Sequence, residues 1–476
     1  MSITTSLSNA MSGLNAASRA AEVVSSNIAN AMTEGYARRE LMLSSRDASG
    51  VQIDGIQRIL NQAILTDRRV AVAASGEASV TLAFLRKTEA QIGTPDDASS
   101  LSARIAALEA TLLEASARPE SDARLANVLS AAKDVAQHFH AISTDVQIAR
   151  GDADRSIATD VKTLNESLVM IADLNRQIAT TGLGGRDVSA LLDQRQQLVD
   201  KISSIVPVKE VARDNGQIAL ITSGGALLLD GRPAQIEFAA AGLITADMTL
   251  ASGALSGVTI NGFPAARSLE GGSLSAHFAV RDDLAVDVQV QLDALARNLL
   301  ERLSDPSVDP SLGAGAPGLF TDQGGPFDPA DEVGLAARLR LNGAVDPAQG
   351  GALWRLRDGI GAAAPGDVGN GTILGALGAA LAATGPAASG GFGSTAKSFS
   401  GLAAEMLSLI AAERQTSETR SSFAAARVGT LRLAELQGGV DTDEELQRLL
   451  LIEQAYAANA RVIQAADEMM QALLRL

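Results

Sequence analysis

Three short segments carry residue types that could do chemistry, and each has a simpler structural interpretation. Residues 313–318 fit the GxGxxG spacing that cradles phosphates, but they follow a Pro-rich loop rather than a strand, and Pro317 withholds a backbone N–H. His138 and His140 could suggest a metal site, but positions i and i+2 of a helix point to nearly opposite sides. The carboxylates at 441–445 stand where an acidic cap and first turn favour a helix. We therefore predict no catalytic, cofactor-binding or metal-binding residues.

The composition excludes several classes of function. The chain has no cysteine, which removes disulfides, thiolate metal sites and cysteine nucleophiles, and it has only three histidines. Its 39 Lys and Arg against 55 Asp and Glu give a formal charge of −16, which argues against a general binder of nucleic acid or anionic membranes. With 10 Phe, 2 Tyr and 1 Trp, an aromatic-walled ligand pocket is hard to build. We predict that the protein is not an enzyme.

The two ends of the chain carry matched amphipathic patterns. Residues 1–32 read as one helix with a seven-residue apolar repeat, and its outer face has only Arg19 and Glu22 as charged residues, so we expect both faces to be covered in the working state. Residues 442–474 form a second helix with a comparable apolar seam, and Asn459 within that seam is predicted to set the register. The two helices are predicted to pair.

The chain between these ends reads as helices interrupted by one β-domain. Helical patterns cover 56–92, 99–117, 119–181 (with a candidate break at Gly151 and Asp152), 188–204, 282–303 and 397–437, whereas 37–50 looks extended and loop-like. After Pro207 the period changes to two, and Asn-Gly or Asp-Gly turns follow at 215–216, 230–231 and 261–262. The stretch 304–395 is rich in Gly, Pro and Ala, which indicates short helices and loops.

These patterns predict a mainly α fold with an inserted β-domain. The terminal helices, 1–32 and 442–476, pair as a coiled-coil-like inner domain. A long helical bundle comes next, made of 33–206 with 269–303 and 370–441. The small antiparallel β-domain, 207–268, lies outermost, and 304–369 supply Gly/Pro-rich loops and short helices. The N-terminus has no Lys or Arg before Arg19 and no long apolar block, so it does not read as a cleaved signal peptide, and the apolar run 373–383 is too short to span a membrane.

Four segments carry a resemblance to a known family. Residues 25–38, Ser-Ser-Asn-Ile-Ala-Asn-Ala-Met-Thr-Glu-Gly-Tyr-Ala-Arg, resemble the N-terminal motif shared by rod, hook and junction proteins of the bacterial flagellum. Residues 9–17 (Asn-Ala-Met-Ser-Gly-Leu-Asn-Ala-Ala), 191–199 (Leu-Leu-Asp-Gln-Arg-Gln-Gln-Leu-Val) and 456–466 are similar to the hook–filament junction family of hook-associated proteins. The matches come in the family's order. The chain looks shorter than larger members, because the region after 304 lacks a substantial outer domain.

The resemblance implies a structural subunit of the flagellum. Such proteins are exported unfolded through the flagellar type III channel without a cleaved signal, and they form a ring between hook and filament outside the cell. Their terminal helices form the inner tube and are typically disordered in the free monomer. Implied partners are further copies of the chain, the hook protein, the second hook–filament junction protein, and an export chaperone with the export apparatus. No cofactor, nucleic acid or membrane insertion is implied.

Under this interpretation, specific residues are assigned to assembly. The apolar and register positions are Leu7, Leu14, Val24, Ile28, Leu449, Ile452, Tyr456, Asn459, Ile463 and Met470. The turn from the inner helix to the outer domain is assigned to Asn27, Asn30, Gly35 and Tyr36. The simpler alternative for these residues is intramolecular core packing. Alternatives for the whole chain are a hook or rod subunit, a cytoplasmic coiled-coil scaffold, and an enzyme with its site in 304–372.

Overall fold

The computed structural model describes residues 3–33, 35–45 and 50–474. Its helices are α1 (Ile3–Ala29), α2 (Gln62–Ile92), α3 (Leu101–Ala117), α4 (Asp122–Leu183), α5 (Ser189–Ile205), α6 (Gly272–Ala279), α7 (Ala285–Leu303), α8 (Leu335–Arg338), α9 (Arg355–Asp358), α10 (Thr372–Ala382), α11 (Phe399–Gln437) and α12 (Thr442–Leu474). Its strands are β1 (Arg38–Ser45), β2 (Val51–Ile59), β3 (Val208–Ala212), β4 (Ile218–Thr222), β5 (Leu227–Asp230), β6 (Arg232–Pro233), β7 (Ile236–Glu237), β8 (Thr259–Ile260), β9 (Phe263–Pro264), β10 (Phe320–Asp322) and β11 (Leu339–Leu341). The predicted fold class, mainly α with small antiparallel sheets, is confirmed.

A hairpin follows α1, and here the predicted start of the next helix is wrong. Strands β1 and β2 pair antiparallel with a register shift between Met42 and Leu43. The sequence indicated an extended, loop-like stretch over 37–50, of which 38–45 form β1, and a helix from residue 56, where β2 continues to Ile59. Helix α2 begins only at Gln62, because the Asn61 side chain caps it by accepting from the N–H groups of Ala63 and Ile64. Positions 1–2, 34, 46–49 and 475–476, which the predicted elements also included, lie outside the described residues.

Helix α4 is unbroken over 62 residues, about 93 Å at the usual rise per residue. The break considered at Gly151 and Asp152 does not occur, because tertiary packing on both sides outweighs the roughly 1 kcal/mol cost of a mid-helix glycine. The N-terminal half of α4 lies in a first apolar core with α2, α3, α7, α10 and α11. Its C-terminal half lies in a second core with α5 and the strands that follow Pro207.

The β-domain has the predicted turns. Its strands form two antiparallel sheets, in the orders β3-β4-β5-β6 and β7-β8-β9. At the β3–β4 turn Asn215 and Gly216 have φ of 55° and 73°, and at the β8–β9 turn Asn261 and Gly262 have 51° and 81°. These left-handed conformations suit Asn-Gly, which is why the sequence revealed both hairpins. Short helices and loops occupy much of 304–395, as predicted, but the pairing of β10 with β11 was not predicted.

Helix resumes earlier than predicted, at Gly272 rather than near 282. Residues Val280–Leu284 form one π-helical turn between α6 and α7. Arg281 in this turn is fully buried and lies 2.7 Å from the equally buried Asp154 of α4. The Arg281 guanidinium also stacks on Phe238 and Phe278, with its carbon 5.5 and 5.0 Å from the ring centroids. This contact fixes the β-domain to the bundle.

Candidate assembly interface

Helices α1 and α12 lie along each other through small side chains. Ala10, Ala16 and Ala17 of α1 and Ala466 of α12 are buried, and a Cβ added at Gly13 would lie 2.8 Å from the Asn459 Nδ2. Small residues therefore permit the close approach. The proposed assembly residues lie in and beside this seam: Val24 is buried, Leu7, Leu14, Ile28, Leu449, Ile452, Asn459 and Ile463 are partly buried, and Tyr456 and Met470 are exposed.

Asn459 does not link the two helices by a hydrogen bond to α1. Its Nδ2 donates to the Ala455 carbonyl of its own helix at 3.0 Å. Among the described residues, Asn27 near the end of α1 donates to Glu445 near the start of α12 at 3.1 Å, and this hydrogen bond joins the two helices. The register-setting role of Asn459 stays a prediction, and Asn27 with Glu445 is a second candidate for it.

The paired helices and the hairpin leave a broad apolar surface uncovered. A solvated helix face normally carries charge, and contiguous exposed apolar patches mark interaction sites. Here the large exposed apolar side chains are Met11 on α1, Met42, Leu43 and Ile53 on the hairpin, and Leu446, Leu450, Leu451, Tyr456, Val462, Met469, Met470 and Leu473 on α12. The described part of the chain contains nothing that covers this surface.

Asn27 is the centre of the turn after α1. Its side chain is fully buried and all four of its hydrogen-bonding positions are used. The Nδ2 donates to the Arg39 carbonyl at 2.9 Å as well as to Glu445, and the Oδ1 accepts from the Tyr36 hydroxyl at 2.9 Å and the Arg39 N–H at 3.0 Å. One side chain thus joins α1, the start of β1 and the start of α12.

The other predicted turn residues surround this contact. Asn30 donates back to the Ser26 carbonyl at 2.9 Å and so ends the helix. Gly35 has a φ of 80°, and a Cβ there would lie 2.8 Å from the Gln197 Cγ, so both its backbone and its surroundings favour glycine. The Tyr36 ring lies under the Arg39 guanidinium, whose carbon is 4.8 Å from the ring centroid. The structure brings all four predicted turn residues together.

Glu445 belongs to a charged cluster that the sequence did not reveal. Only 1% of its side chain is exposed, and its Oε1 lies 3.6 Å from Arg38 and 3.8 Å from Arg448. Both arginines also reach Glu40, at 2.7 and 3.0 Å. Burial raises the pKa of Glu40, but the hydrogen bond from Arg448 and the charge of Arg38 outweigh burial, and the net pKa is lowered. The start of α12 is thereby fixed to β1.

Helix α5 fastens the hairpin and α2 through one polar face. Asp193, Gln196 and Asp200 lie at i, i+3 and i+7, on the same side of the helix. Asp193 forms ion pairs with Arg39 at 2.8 Å and with Arg58 at 2.6 Å. Gln196 accepts from Arg58 at 2.8 Å. Asp200 forms ion pairs with Arg68 and Arg69 of α2, both at 2.6 Å.

The same segment also holds the β-domain. Arg195, which is buried, donates to the Asn175 Oδ1 at 2.8 Å and to the Gly216 carbonyl in the β3–β4 turn at 2.7 Å. Burial lowers the pKa of Arg195 to about 10, against the opposing charge of Glu210. Residues 191–199 therefore tie the inner hairpin, the bundle and the β-domain to one helix. The sequence signal that could have predicted these contacts is the stripe of polar residues at helical spacing, Asp193, Gln196 and Asp200.

The segments first considered for chemistry have structural neighbours instead. His140 lies 2.9 Å from the Ala337 carbonyl, whereas His138 contacts the Ile92 backbone, and burial lowers the pKa of His138. Residues 313–318 form turns, and a Cβ on Gly318 would lie 2.0 Å from the Leu303 carbonyl oxygen. Asp441 caps α12 by accepting from the N–H groups of 443 and 444. Over 3–33, 35–45 and 50–474 there is no metal-binding group of His, Cys, Asp and Glu, and none of the helices could cross a bilayer.

Comparison with known proteins gives matches at three places along the chain. Residues 87–305 match the family model described as the helical domain of the flagellar hook-associated protein FlgK. Residues 7–36 match a flagella basal body rod protein model, and residues 437–476 match the C-terminal model of the basal body rod FlgEFG proteins. Flagellar hook-associated protein 1 of Bacillus subtilis is 23% identical over 98% of this chain and 97% of its own length. The chain is thus similar to flagellar hook-associated protein 1 along nearly its whole length.

Hook-associated proteins 1 from other bacteria match over shorter stretches. The Salmonella typhimurium relative is 30% identical over 242 residues, which is 48% of this chain and 43% of that protein. The chain therefore spans less than half the length of that relative. A solved structure of the flagellar hook junction protein FlgK from Burkholderia pseudomallei has a TM-score of 0.45 at 20% identity, covering 54% of this chain and 46% of that one.

Proposed function

We propose that this chain is a structural subunit of the junction between hook and filament, where identical copies form a ring through their terminal helices. The observation that carries the proposal is the uncovered apolar surface of α1, α12 and the hairpin, in a chain similar to flagellar hook-associated protein 1. Burying such a surface between copies is favourable by about 25 cal/mol per Å² of apolar area, and an isolated monomer cannot gain this free energy.

The proposed route to this place is export through the flagellar type III system, unfolded and without a cleaved signal. The absence of cysteine suits passage between reducing and oxidising spaces, since no disulfide can mispair. The proposed partners are the hook protein, the second junction protein, and an export chaperone that holds the C-terminal helix. The proposed role is mechanical and not enzymatic, in keeping with the structural neighbours of the histidines and of residues 313–318.

A hook or rod subunit is the second candidate, because both ends of the chain match rod-protein models. The match of 87–305 to the hook-associated helical domain favours the junction. A strain that lacks this chain distinguishes the two. A junction subunit leaves hooks in place without filaments and sheds flagellin into the medium, whereas a hook or rod subunit leaves no complete hook.

Truncation of residues 445–476 tests the proposed assembly. Neither apolar core contains a residue of α12, so we expect a soluble, folded central region that no longer attaches filaments. The measurements are circular dichroism of the purified truncation and the fraction of hooks with filaments in a complemented deletion strain. Normal filament attachment by the truncated chain would contradict the proposal.

A milder pair of variants controls for loss of the whole helix. Leu450→Ser with Leu451→Ser removes two exposed side chains of α12, and Leu113→Ser with Leu183→Ser removes two exposed side chains outside the terminal helices. We expect filament attachment to fall in the first pair and to stay normal in the second. Equal loss in both pairs would indicate a general defect in export or folding.

A further inference from the structure

One face of α11 is both basic and apolar, in a chain with a formal charge of −16. Between 419 and 434 there is no Asp or Glu, while Arg420, Arg427 and Arg432 are exposed and Phe423 is 70% exposed. Among the described residues none of these three arginines takes part in an ion pair. Burial raises the pKa of Glu77, and the positive charge of Arg420 partly offsets this rise, but the two side chains form no ion pair.

A neighbouring stripe of α11 already has its partner. The buried or partly buried positions of this stretch recur mainly at spacings of four and three, and α11 packs along α2; they are Ser417, Glu418, Ser421, Ala424, Val428, Leu431, Ala434 and Glu435. Glu435 at the end of this seam is paired with Arg68 at 2.6 Å, and Glu418 at its start is paired with Arg414 at 2.7 Å. These two acids are therefore used within the subunit. Arg420, Phe423 and Arg427, here named the basic face, lie on one flank of the seam and are exposed.

A complementary surface lies at the start of α7. Asp283 and Asp287 are exposed and unpaired among the described residues, and Val290 beside them is 45% exposed. Asp282 does not belong to this surface, because it pairs with Arg281 at 2.8 Å. Burial and the like charges of Asp282 and Asp287 raise the pKa of Asp283, which indicates negative charge without a local counter-charge. Asp283, Asp287 and Val290 are here named the acidic face.

We infer that the basic face of one copy packs against the acidic face of the next copy around the ring. Copies that each carry a charge of −16 repel one another, so a stable contact requires local complementarity. A ring is closed by a heterologous contact, in which two different surfaces of the same chain meet. The two faces carry opposite charge, and each has an exposed apolar side chain, Phe423 or Val290, at its side. This inference rests on the proposed function, because it names the lateral contact of the proposed ring.

Cysteine cross-linking tests the contact without background, since the natural chain has no cysteine. A full-length chain with Phe423→Cys and Val290→Cys is expressed in the deletion strain, and isolated flagella are oxidised and run on a non-reducing gel. We expect a ladder of cross-linked oligomers from the double variant and none from either single variant. A double variant with Leu113→Cys and Leu183→Cys, at exposed positions on neither face, is the control and should give no ladder.

The outcomes separate this inference from the proposed function. If the wild-type chain is missing from isolated junctions, the proposed function fails. If the double variant is present at junctions that carry filaments but gives no ladder, only the inference is overturned. Dimers from Phe423→Cys alone, as abundant as those from the double variant, would overturn it as well, because they would show an isologous contact of basic faces.

Charge exchange provides an independent test. Arg420→Glu with Arg427→Glu, and separately Asp283→Arg with Asp287→Arg, should each lower the fraction of hooks with filaments by about tenfold, because like charges then face each other. The chain with all four exchanges should recover to within about twofold of the wild type. Failure of the combined variant to recover, with thermal unfolding of the monomer unchanged, would overturn the pairing and indicate a different acidic partner.

Discussion

The helical bundle and the pair of terminal helices are built from similar residues but are completed differently. In the bundle, large apolar side chains such as Phe139, Leu292 and Leu402 have no exposed surface at all. Along the 33 residues of α12, by contrast, Ala466 and Glu445 are the buried ones among the side chains described. The bundle therefore buries its large apolar side chains within its own chain. The terminal pair packs through small side chains and is joined by polar contacts at one end, but many of its larger apolar side chains stay exposed.

The largest expected effect is the loss of unfolding free energy when a buried side chain of the bundle is shortened. Phe139→Ala removes a fully buried ring of α4 and should lower the free energy of unfolding by about 3–5 kcal/mol. The matched control is Phe423→Ala, because this phenylalanine is 70% exposed and should cost no more than about 0.5 kcal/mol. Urea unfolding followed by circular dichroism measures both. Similar losses of unfolding free energy in the two variants would contradict the contrast between the buried core and the exposed helix surface.

A second test uses the titration of a carboxyl group inside the bundle. Burial raises the pKa of Asp293 from 3.8 to about 6, although the N–H groups of Ala336 and Gly334 oppose the rise. The folded state thus binds this proton more tightly than the unfolded chain, so the stabilisation is fully present below the unfolded pKa and is lost as the pH rises through 6. We expect this group alone to lower the free energy of unfolding by about 2 kcal/mol between pH 4 and pH 7.

The control for this titration is Asp293→Asn, which cannot ionise. Urea unfolding of the variant between pH 4 and pH 7 should show a flatter dependence of the free energy of unfolding on pH than the wild type. The terminal helices should not respond in the same way, since the two cores contain no residue of α12. An identical pH dependence in wild type and variant would rule out the assigned group.

The third effect is local to the terminal pair. Asn27→Ala leaves buried Glu445 and the Arg39 backbone without their shared partner, so it should destabilise the contact of α1 with α12 by about 1–3 kcal/mol. Hydrogen exchange should then quicken in α1, α12 and β1 but not in α4. Asn459→Ala, a change of the same type at a residue bonded to its own helix, should alter exchange far less. A larger change in hydrogen exchange for Asn459→Ala than for Asn27→Ala would instead support the register role of Asn459.

The smallest effect separates hydrogen bonding from stacking in the turn. Tyr36→Phe removes the hydroxyl that donates to the Asn27 Oδ1 at 2.9 Å but keeps the ring under Arg39. We expect a loss of about 0.5–1.5 kcal/mol in the local stability of the turn, measured by exchange of the amides in 30–40. Tyr36→Leu should cost more, because the cation–π contact is lost as well. Equal costs would show that stacking contributes little.

Much of the fold could be predicted because its signals are local. Asn215 with Gly216 and Asn261 with Gly262 marked hairpins through their conformational preference, and Gly438 and Asp441 marked the end of α11 and the start of α12. The β2 strand was missed for an equally local reason. Its isoleucines at 53, 56 and 59 are three residues apart, which imitates a helix, and the shift in register opposite Met42 and Leu43 accounts for the spacing between the first two.

The polar contacts of the terminal pair could not be predicted in the same way. Asn27 and Glu445 are 418 residues apart in sequence, and Arg39 and Asp193 are 154 apart, so no periodic pattern connects them. Each residue also had an adequate local explanation, such as the helix dipole for Glu445. Only the fold shows that these side chains share one buried cluster, and it assigns them a role in orienting α12 rather than in capping it.

Helix α4 gives the molecule a mechanical property that follows from its continuity. Its first half is part of one apolar core and its second half is part of the other, with the buried Arg281 and Asp154 between them. A torque applied to the β-domain therefore reaches the bundle through α4, and also through α6 and α7, which the π-helical turn joins without a break. In a rotating flagellum such a subunit would twist as one stiff element, and the compliance would be left to the hairpin and the turn around Asn27.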